Sequence, residues 1–260
     1  MKGNFDTAAS NYDASFTYSI IGKLQRDLVY KQLLLLLSNS EINSILEVNC
    51  GTGTDALWLA EKGYRVNATD VSAQMIATAK RKENPNGVVF QTADINNIEQ
   101  HFATEKFDLI FSNFGGLNCV SEMELRFFFK NAANLLTEKG QLVLVIMPRD
   151  TIWEQLYFMV KAKFSKAFRR HQESVQANVD GEKITTYYYN PKEVLPLADR
   201  YFKLKQLNPI GFFVPPSYLE PFFKNKPRLI GLLSRLEKKI TRFSFLAKCA
   251  DHYLIVFDKK

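Results

Sequence analysis

The sequence predicts an α/β fold built on a doubly wound, mostly parallel sheet. Short apolar runs typical of buried strands alternate with helical patterns between residues 44 and 147. This alternation is typical of a parallel sheet that carries helices on both faces. A loop with two glycines follows the first apolar run, where sheets of this kind bind ligands. Beyond residue 148 the alternation stops, which indicates an added layer.

The elements of the alternating region follow in order along the chain. A helix over 19–38 comes first. Ser72 and Ser121 are predicted to cap two later helices, because a serine hydroxyl can accept a hydrogen bond from a free N–H group. Gly63 is predicted to end a helix. The predicted strands are 44–48, 65–69, 87–91, 107–112 and 140–147, and the predicted helices between them are 55–63, 72–82 and 121–136.

The C-terminal part is predicted to mix helices with strands. A hairpin over 175–190 is predicted to turn at Asp180-Gly181. Pro209 indicates that the later predicted strand 202–214 is an edge strand or a bulged one. The predicted helices are 151–172, 191–201 and most of 217–248, and the predicted strands are 202–214 and 251–260. With no linker or repeat, we expect one domain over 1–260, with a core of about 40–148 and 200–260 and a cap from 1–38, 149–199 and 215–248.

Charge and cysteine content narrow the classes of protein. Residues 1–148 carry 13 Lys and Arg against 16 Asp and Glu, a net charge of −3, whereas residues 149–260 carry 21 against 11, a net charge of +10. An anionic partner and plain solvation of exposed helices account for this equally well. The three cysteines and three histidines are scattered, so we expect reduced thiols and no metal site. The N-terminus lacks an apolar leader segment, and we expect a cytoplasmic protein.

The segment from Ile45 to Asp70 carries the main functional signal. Gly51 and Gly53 permit a sharp turn and close approach of a ligand, and Asn49 tolerates a left-handed backbone. The helix that follows offers free N–H groups, and Asp70 ends the second strand, where a carboxylate can accept the hydroxyl protons of a ribose. These features fit either a dinucleotide or S-adenosylmethionine. A carboxylate at Glu47 would repel a diphosphate but would attract an ammonium group.

The pattern Glu47-x-Asn49-x-Gly51-x-Gly53 resembles the E-x-G-x-G-x-G loop of class I S-adenosylmethionine-dependent methyltransferases, with Asn49 in place of the first glycine. The segments "NATDVSAQMIATAK", "TADINN" and "FDLIFSNFGGLNCV" resemble the later motifs of that family, and "FDTAASNYDASF" resembles the leading segment of its small-molecule members. The resemblance covers about residues 45–147. It implies a seven-stranded sheet with an antiparallel final strand. The sequence also resembles a bacterial subset of the family that is associated with secondary metabolism.

The resemblance also implies which residues bind the cofactor. Glu47 would lie near the methionine amino end, Asp70 at the ribose, and Met75, Asp94 and Ile95 at the adenine. The predicted cofactor-binding residues are Tyr12, Glu47, Asn49, Cys50, Gly51, Gly53, Asp70, Val71, Met75, Asp94, Ile95 and Ser112. No catalytic base is predicted.

We therefore expect methyl transfer from S-adenosylmethionine, with S-adenosylhomocysteine as product, to a small apolar or aromatic acceptor with a possible anionic tail. The alternatives are a non-catalytic cofactor-binding scaffold or sensor and an NAD(P)-dependent oxidoreductase. A nucleic-acid acceptor is disfavoured, because Ser112-Asn113-Phe114-Gly115 stands where base-flipping amino-methyltransferases carry a D-P-P-Y type motif. Segments 1–30, 151–189 and 215–248 are expected to roof the acceptor pocket. Their expected lining aromatics are Tyr18, Trp153, Tyr157, Phe158, Tyr187, Tyr189 and Phe213. The basic C-terminal part has a possible weak contact with a membrane surface or a carrier protein.

Overall fold

The computed structural model describes residues 5–38, 41–179 and 181–260, with no side-chain description at position 179. Asp180 of the predicted hairpin turn lies outside these residues, and Gly181 has a φ of 93°. The strands are β1 Ser44–Val48, β2 Arg65–Asp70, β3 Val89–Thr92, β4 Phe107–Ser112, β5 Leu136–Ile146, β6 Val175–Val179, β7 Glu182–Thr186, β8 Phe202–Ile210 and β9 His252–Lys259.

Helices cover both faces of the main sheet and fill the C-terminal part. They are α1 Ile20–Leu37, α2 Thr54–Glu61, α3 Ala73–Lys80, α4 Ile98–His101, α5 Glu122–Leu135, α6 Ile152–Val160, α7 Phe164–Ala167, α8 Pro191–Ala198, α9 Glu220–Phe223 and α10 Pro227–Ile240. Each helix in the described ranges is too short or too polar to cross a bilayer.

Seven strands form one sheet in the order β3-β2-β1-β4-β5-β9-β8. The pairs within β1–β5 are parallel, whereas β9 runs antiparallel to both β5 and β8. The predicted fold class and the antiparallel final strand are therefore confirmed. Pro209 lies in the edge strand β8, and the register of that strand shifts between Leu204 and Gln206. β6 and β7 form a separate antiparallel pair.

The local signals act as the sequence predicts at several helix ends. The Ser72 hydroxyl accepts a hydrogen bond from the N–H of Met75, and Ser121 forms a reciprocal capping box with Glu124. Both arrangements satisfy N–H groups that have no partner inside the helix. The predicted helix over 151–172 is wrong in its continuity, because Ala162 takes a φ of 52° and separates α6 from α7.

Two hydrophobic cores pack against the two faces of the sheet. Leu109, Phe111 and Val143 point to one face together with residues of α1 and α2. Ile110, Leu142 and Leu144 point to the other face, against α5 and α8. Alternate strand residues thus bury both faces, as a central parallel sheet requires. This packing fixes the carboxyl ends of β1, β2 and β4, from which the site is built.

Candidate active site

A cavity of about 560 Å³ opens at the carboxyl ends of the parallel strands. Its wall contains Asn49 after β1, Asp70 at the end of β2 and Asn113 after β4. Segments 5–26, 154–188 and 216–218 also contribute wall residues, so the three segments expected to roof the pocket all reach it. Another cavity, of about 440 Å³, lies at the amino ends of β4 and β5, away from the glycine loop.

The glycine loop has the left-handed backbone that the sequence predicts. Asn49, Gly51 and Gly53 have φ values of 57°, 53° and 76°, so asparagine here replaces a glycine without leaving the left-handed region. The Asn49 side chain fills the space beside Gly116, where an added Cβ would lie 2.4 Å from the Cβ of Asn49. The loop therefore also depends on Gly116, which lies in the segment after β4.

Asp70 holds the loop in place from the neighbouring strand. Its Oδ2 accepts a hydrogen bond from the N–H of Gly51, and its Oδ1 accepts one from the N–H of Ser72, both at 2.9 Å. Burial raises the pKa of Asp70 above its usual value, although these hydrogen bonds lower it. A carboxylate can accept about four hydrogen bonds, so Asp70 keeps capacity for hydroxyl groups in the cavity.

A buried charge network lies behind the loop. Asp55 Oδ1 is 2.5 Å from Arg26 Nη1 and accepts a hydrogen bond from the Tyr30 hydroxyl, while its Oδ2 accepts one from Asn113 Nδ2 at 3.0 Å. Arg26 and Asp55 both reach the cavity wall. Neither Arg26 nor Asp55 is among the predicted site residues. The acidic residue in the first turn of α2 was the available signal.

Glu47 lies next to this network and is 1% exposed. Its Oε2 has no hydrogen-bond partner among the described residues. Burial raises the pKa of Glu47 well above its usual range, and the carboxylates of Asp55 and Asp70 raise it further. A buried carboxylate oxygen without a partner is costly, and a cationic hydrogen-bond donor would remove that cost.

The N-terminal segment closes over the loop. Tyr12 lines the cavity, and burial raises its pKa to about 12. The adjacent Asp13 accepts a hydrogen bond from the Thr52 hydroxyl at 2.6 Å and pairs with Lys82 at 2.7 Å. Burial raises the pKa of Asp13, but the hydrogen bonds from Lys82 and Thr52 hold it below its usual value. The Tyr12-Asp13 pair therefore covers the loop from above.

The other predicted cofactor residues divide into two groups. Cys50, Val71 and Met75 lie in the cavity wall. Glu47, Gly53, Asp94, Ile95 and Ser112 are absent from that wall in the described part of the chain. Gly53 is needed for packing, since an added Cβ would lie 2.5 Å from the Phe90 ring. Asp94 accepts a hydrogen bond from the N–H of Asn96, and Ser112 is fully buried behind Asn49.

The far end of the cavity contains His252, which is not among the predicted site residues. Its Nδ1 lies 3.2 Å from Asp251 Oδ2, at ion-pair distance but without hydrogen-bond alignment. Burial raises the pKa of Asp251, but His252 and Arg170 lower it more, to below its usual value. The ring of Phe114 meets the His252 ring edge-on, with centroids 5.3 Å apart. The Asp-His pair at the start of the last strand was the available signal.

Phe114 reaches this position through a strained backbone. It has a φ of 39°, in the left-handed region that large residues rarely adopt. Its ring lies between those of Phe16, at 5.4 Å, and His252. The strain therefore places an aromatic wall between the glycine loop and the histidine.

Two arginines complete the far end, and both are paired within the protein. Arg169 Nε and Arg170 Nε donate to opposite oxygens of the buried Glu154, at 2.7 and 2.9 Å. Arg170 also lies 4.5 Å from the centre of the Tyr188 ring. The positive charge at this end of the cavity is thus compensated by Glu154 and Asp251.

The aromatic residues of the wall differ from the expected ones. The predicted set is wrong, because the aromatics in the described wall are Phe5, Tyr12, Phe16, Phe114, Tyr188 and Tyr218. Tyr187 and Tyr189 stack on each other, and Tyr188 between them reaches the cavity. Successive side chains of an extended segment point to opposite sides, so the side that carries Tyr188 faces the pocket and the side that carries Tyr187 and Tyr189 does not.

Comparison with known proteins decides which ligand the loop serves. Residues 45–140 match the family model described as a methyltransferase domain, and that stretch contains the glycine loop and Asp70. This region of the chain therefore matches a methyltransferase domain, as the resemblance to class I S-adenosylmethionine-dependent methyltransferases implies. The expected family and cofactor are confirmed, and S-adenosylmethionine is preferred over a dinucleotide.

The relatives that the chain matches include malonyl-[acyl-carrier protein] O-methyltransferases. That of Bacillus anthracis is 28% identical over 173 residues, which cover 64% of this chain and 59% of the relative. A second, from Ilyobacter polytropus, is 33% identical over 116 residues, which cover 42% of this chain and 40% of the relative. The chain therefore spans about half the length of these curated relatives.

Solved structures share the fold of this chain at low sequence identity. The PH0226 protein of Pyrococcus horikoshii OT3 has a TM-score of 0.61 at 17% identity, and the match covers 96% of this chain and 99% of that one. Magnesium protoporphyrin IX methyltransferase from Synechocystis PCC 6803, with bound SAH, has a TM-score of 0.58 at 14% identity, covering 92% and 85%. These likenesses concern the fold.

Proposed function

We propose that this protein transfers a methyl group from S-adenosylmethionine to a hydroxyl oxygen of a small, partly aromatic acceptor. The observation that carries the proposal is one cavity whose wall includes both Asp70 beside the glycine loop and His252. A donor at the loop and an acceptor at the histidine would share this space, separated by the ring of Phe114. Alignment of two reactants in one site contributes up to roughly 7–11 kcal/mol to catalysis.

The residues at the loop end suit S-adenosylmethionine, which supplies a sulfonium-activated methyl group when bound. Asp70 would accept the ribose hydroxyl protons, and the unpartnered Oε2 of Glu47 would accept from the ammonium group. Val71 and Met75 offer an apolar wall for the adenine. The proposed cofactor residues that also reach the wall are Tyr12, Asn49, Cys50 and Gly51, and those that lie outside the described wall are Glu47, Gly53, Asp94, Ile95 and Ser112.

At the far end, His252 would take the proton that a neutral hydroxyl must lose. Its Nε2 makes no hydrogen bond within the described chain, while Nδ1 faces Asp251. Asp251 is in turn held by Gln25 Nε2, which donates to it at 3.0 Å. A carboxylate beside the ring stabilises the imidazolium that proton transfer creates. Phe16, Phe114 and Tyr188 provide the aromatic surface for the acceptor.

A second acceptor class is an acid, free or attached to a carrier protein. The similarity to malonyl-[acyl-carrier protein] O-methyltransferases favours it. A carboxylate oxygen is already ionised at neutral pH and needs no base. In that case Arg169 would have to exchange part of its pairing with Glu154 for the acceptor.

Methyl-labelled S-adenosylmethionine tests the proposal. The protein is incubated with a panel of small phenols, with malonyl thioesters and with a metabolite extract, and labelled products are counted. We expect methylated phenols from the intact protein and much less product from Asp70→Ala when the cofactor concentration is below saturation. A labelled ester from the malonyl thioesters alone would select the second acceptor class. Tight cofactor binding without any labelled product would instead indicate a scaffold or sensor.

A further inference from the structure

A surface beside the cavity mouth combines exposed apolar and basic side chains. On α6, Leu156, Met159 and Val160 follow the i, i+3, i+4 spacing of one helix face, and that face meets solvent, with Val160 87% exposed. Exposed phenylalanines continue it on α7 and α9. We call this the mouth surface, and its apolar side chains are Leu156, Met159, Val160, Phe164, Phe168 and Phe222.

Ring contacts join the two parts of the mouth surface. Trp153 of α6 meets Phe223 of α9 with ring centroids 6.0 Å apart, and Tyr157 meets Tyr218 at 5.6 Å. Tyr218 is itself 45% exposed and belongs to the cavity wall. The mouth surface therefore borders the opening of the cavity.

Lysines accompany these apolar side chains in both stretches of the chain that carry the surface, whereas acidic residues are rare there. Residues 155–168 contain no Asp or Glu, and residues 217–226 contain only Glu220. The carboxylate of Glu220 accepts hydrogen bonds from the N–H groups of Ile20 and Ile21, at 3.1 and 2.9 Å, so it caps α1. Within residues 155–168 and 217–226 the mouth surface is therefore positively charged, and its lysines are Lys161, Lys163, Lys166, Lys224 and Lys226.

The lysines lie along the aromatic rings of the same surface. Lys226 Nζ is 3.1 Å from the centre of the Phe222 ring, and Lys161 Nζ is 4.6 Å from that of Tyr157. The charged ends of these lysines therefore lie on aromatic rings of the surface, where cation–π attraction holds them. Exposed apolar side chains interleaved with cationic groups are the arrangement of proteins that lie on anionic bilayers.

We propose that the mouth surface docks the protein on an anionic lipid bilayer. Side chains that project singly from short helices suit the headgroup region, which adapts to their shape, whereas a folded protein partner would need a matching pocket for each one. Large exposed apolar groups also mark interaction sites in general. The inference does not depend on the identity of the acceptor.

Vesicle flotation tests this docking without cofactor or acceptor. We expect the protein to float with vesicles that contain about one third phosphatidylglycerol, to stay unbound with pure phosphatidylcholine, and to be released by about 0.5 M salt, because salt screens lysine–headgroup attraction. A protein that stays unbound with phosphatidylglycerol vesicles would overturn the proposal.

Paired variants locate the surface. Lys161→Glu/Lys163→Glu should weaken vesicle binding about 25-fold or more, given about fivefold per lysine near an anionic surface, and Val160→Ser/Phe164→Ser should abolish flotation. The controls are Lys130→Glu/Lys139→Glu and Met123→Ser/Phe127→Ser, which change exposed residues of α5 and the start of β5 and should bind normally. Thermal melting checks that all four fold. Equal loss in test and control variants would overturn the proposal, as would an acidic protein that is retained through these lysines while vesicles are not.

Discussion

The cavity has two ends, which we call the donor end, at the glycine loop, and the acceptor end, at His252, after the roles proposed for them. The two ends are built from the chain in different ways. The donor end comes mainly from one stretch, in which the loop after β1 is held by Asp70 at the end of β2. The acceptor end gathers Glu154, Arg170 and His252 from segments far apart in sequence. The donor end is thus a property of local geometry, whereas the acceptor end exists only once the covering segments have packed. The same cofactor end can therefore serve different acceptors.

The charges differ between the two ends as well. At the acceptor end, Arg169 and Arg170 are matched by Glu154 and Asp251. At the donor end, Glu47 keeps an oxygen without a partner among the described residues. A compensated cluster shapes a pocket, whereas an uncompensated carboxylate creates a demand for a cation. We therefore expect changes at the donor end to act on cofactor affinity and changes at the acceptor end to act on turnover.

Replacing His252 should have the largest effect and separate the two ends. We expect His252→Ala to lower kcat for a hydroxyl acceptor by about 10²–10⁴, the usual contribution of a general base, with unchanged cofactor affinity. Steady-state kinetics and calorimetry measure the two quantities. His101→Ala is the control, because His101 contacts Gln91 outside the cavity. An unchanged kcat would show that the acceptor oxygen needs no base.

Replacing Asp55 should destabilise the fold by about 3–5 kcal/mol, because it leaves the buried Arg26 without its partner. This pair links the roof of the cavity, through α1, to the donor end, through α2. Urea denaturation measures the free energy of unfolding for Asp55→Ala and for the double variant with Arg26→Ala. Glu122→Ala breaks an exposed pair with Arg126 and should cost less than about 0.5 kcal/mol. An equal loss of unfolding free energy in Asp55→Ala and Glu122→Ala would disprove the buried link.

Replacing Asp70 should weaken cofactor binding about 10- to 100-fold, since one hydrogen bond to a charged group contributes about 1.5–3 kcal/mol. Calorimetry with S-adenosylhomocysteine compares Asp70→Asn, which keeps the side-chain shape, with Asp70→Ala. Asp199→Ala is a matched control, since the Asp199 side chain is 80% exposed. The acceptor KM should not change. Full affinity in both Asp70 variants would place the ribose elsewhere.

Glu47 should give the cofactor affinity a pH dependence. Its pKa is raised in the free protein, so it must lose a proton when it binds an ammonium group. Affinity should therefore fall as pH drops below that raised pKa, by at most about tenfold per pH unit, and level off above it. Glu47→Gln should flatten the profile of S-adenosylhomocysteine affinity between pH 5.5 and 8.5. A profile that stays equally steep in Glu47→Gln would assign the proton to another group.

The sequence by itself determined the sheet core and the donor end. Periodicity located β1 to β5 because each strand is a short apolar run between turn signals. The loop was readable because Asn49, Gly51 and Gly53 are residue types that accept a left-handed backbone, and the structure gives all three that backbone. Helix caps such as Ser72 could also be predicted, because each depends on residues only a few positions away.

Only the tertiary structure decided the acceptor end and the break at Ala162. Three tyrosines in a row cannot show which one faces the cavity. The backbone bonds from Tyr187 to Asn118 and from Tyr189 to Met147 set that register, and Tyr188 turns inward. His252 likewise reaches the site only because β9 inserts beside β5. These features depend on contacts between residues distant in sequence, and such contacts leave no local pattern of spacing or composition.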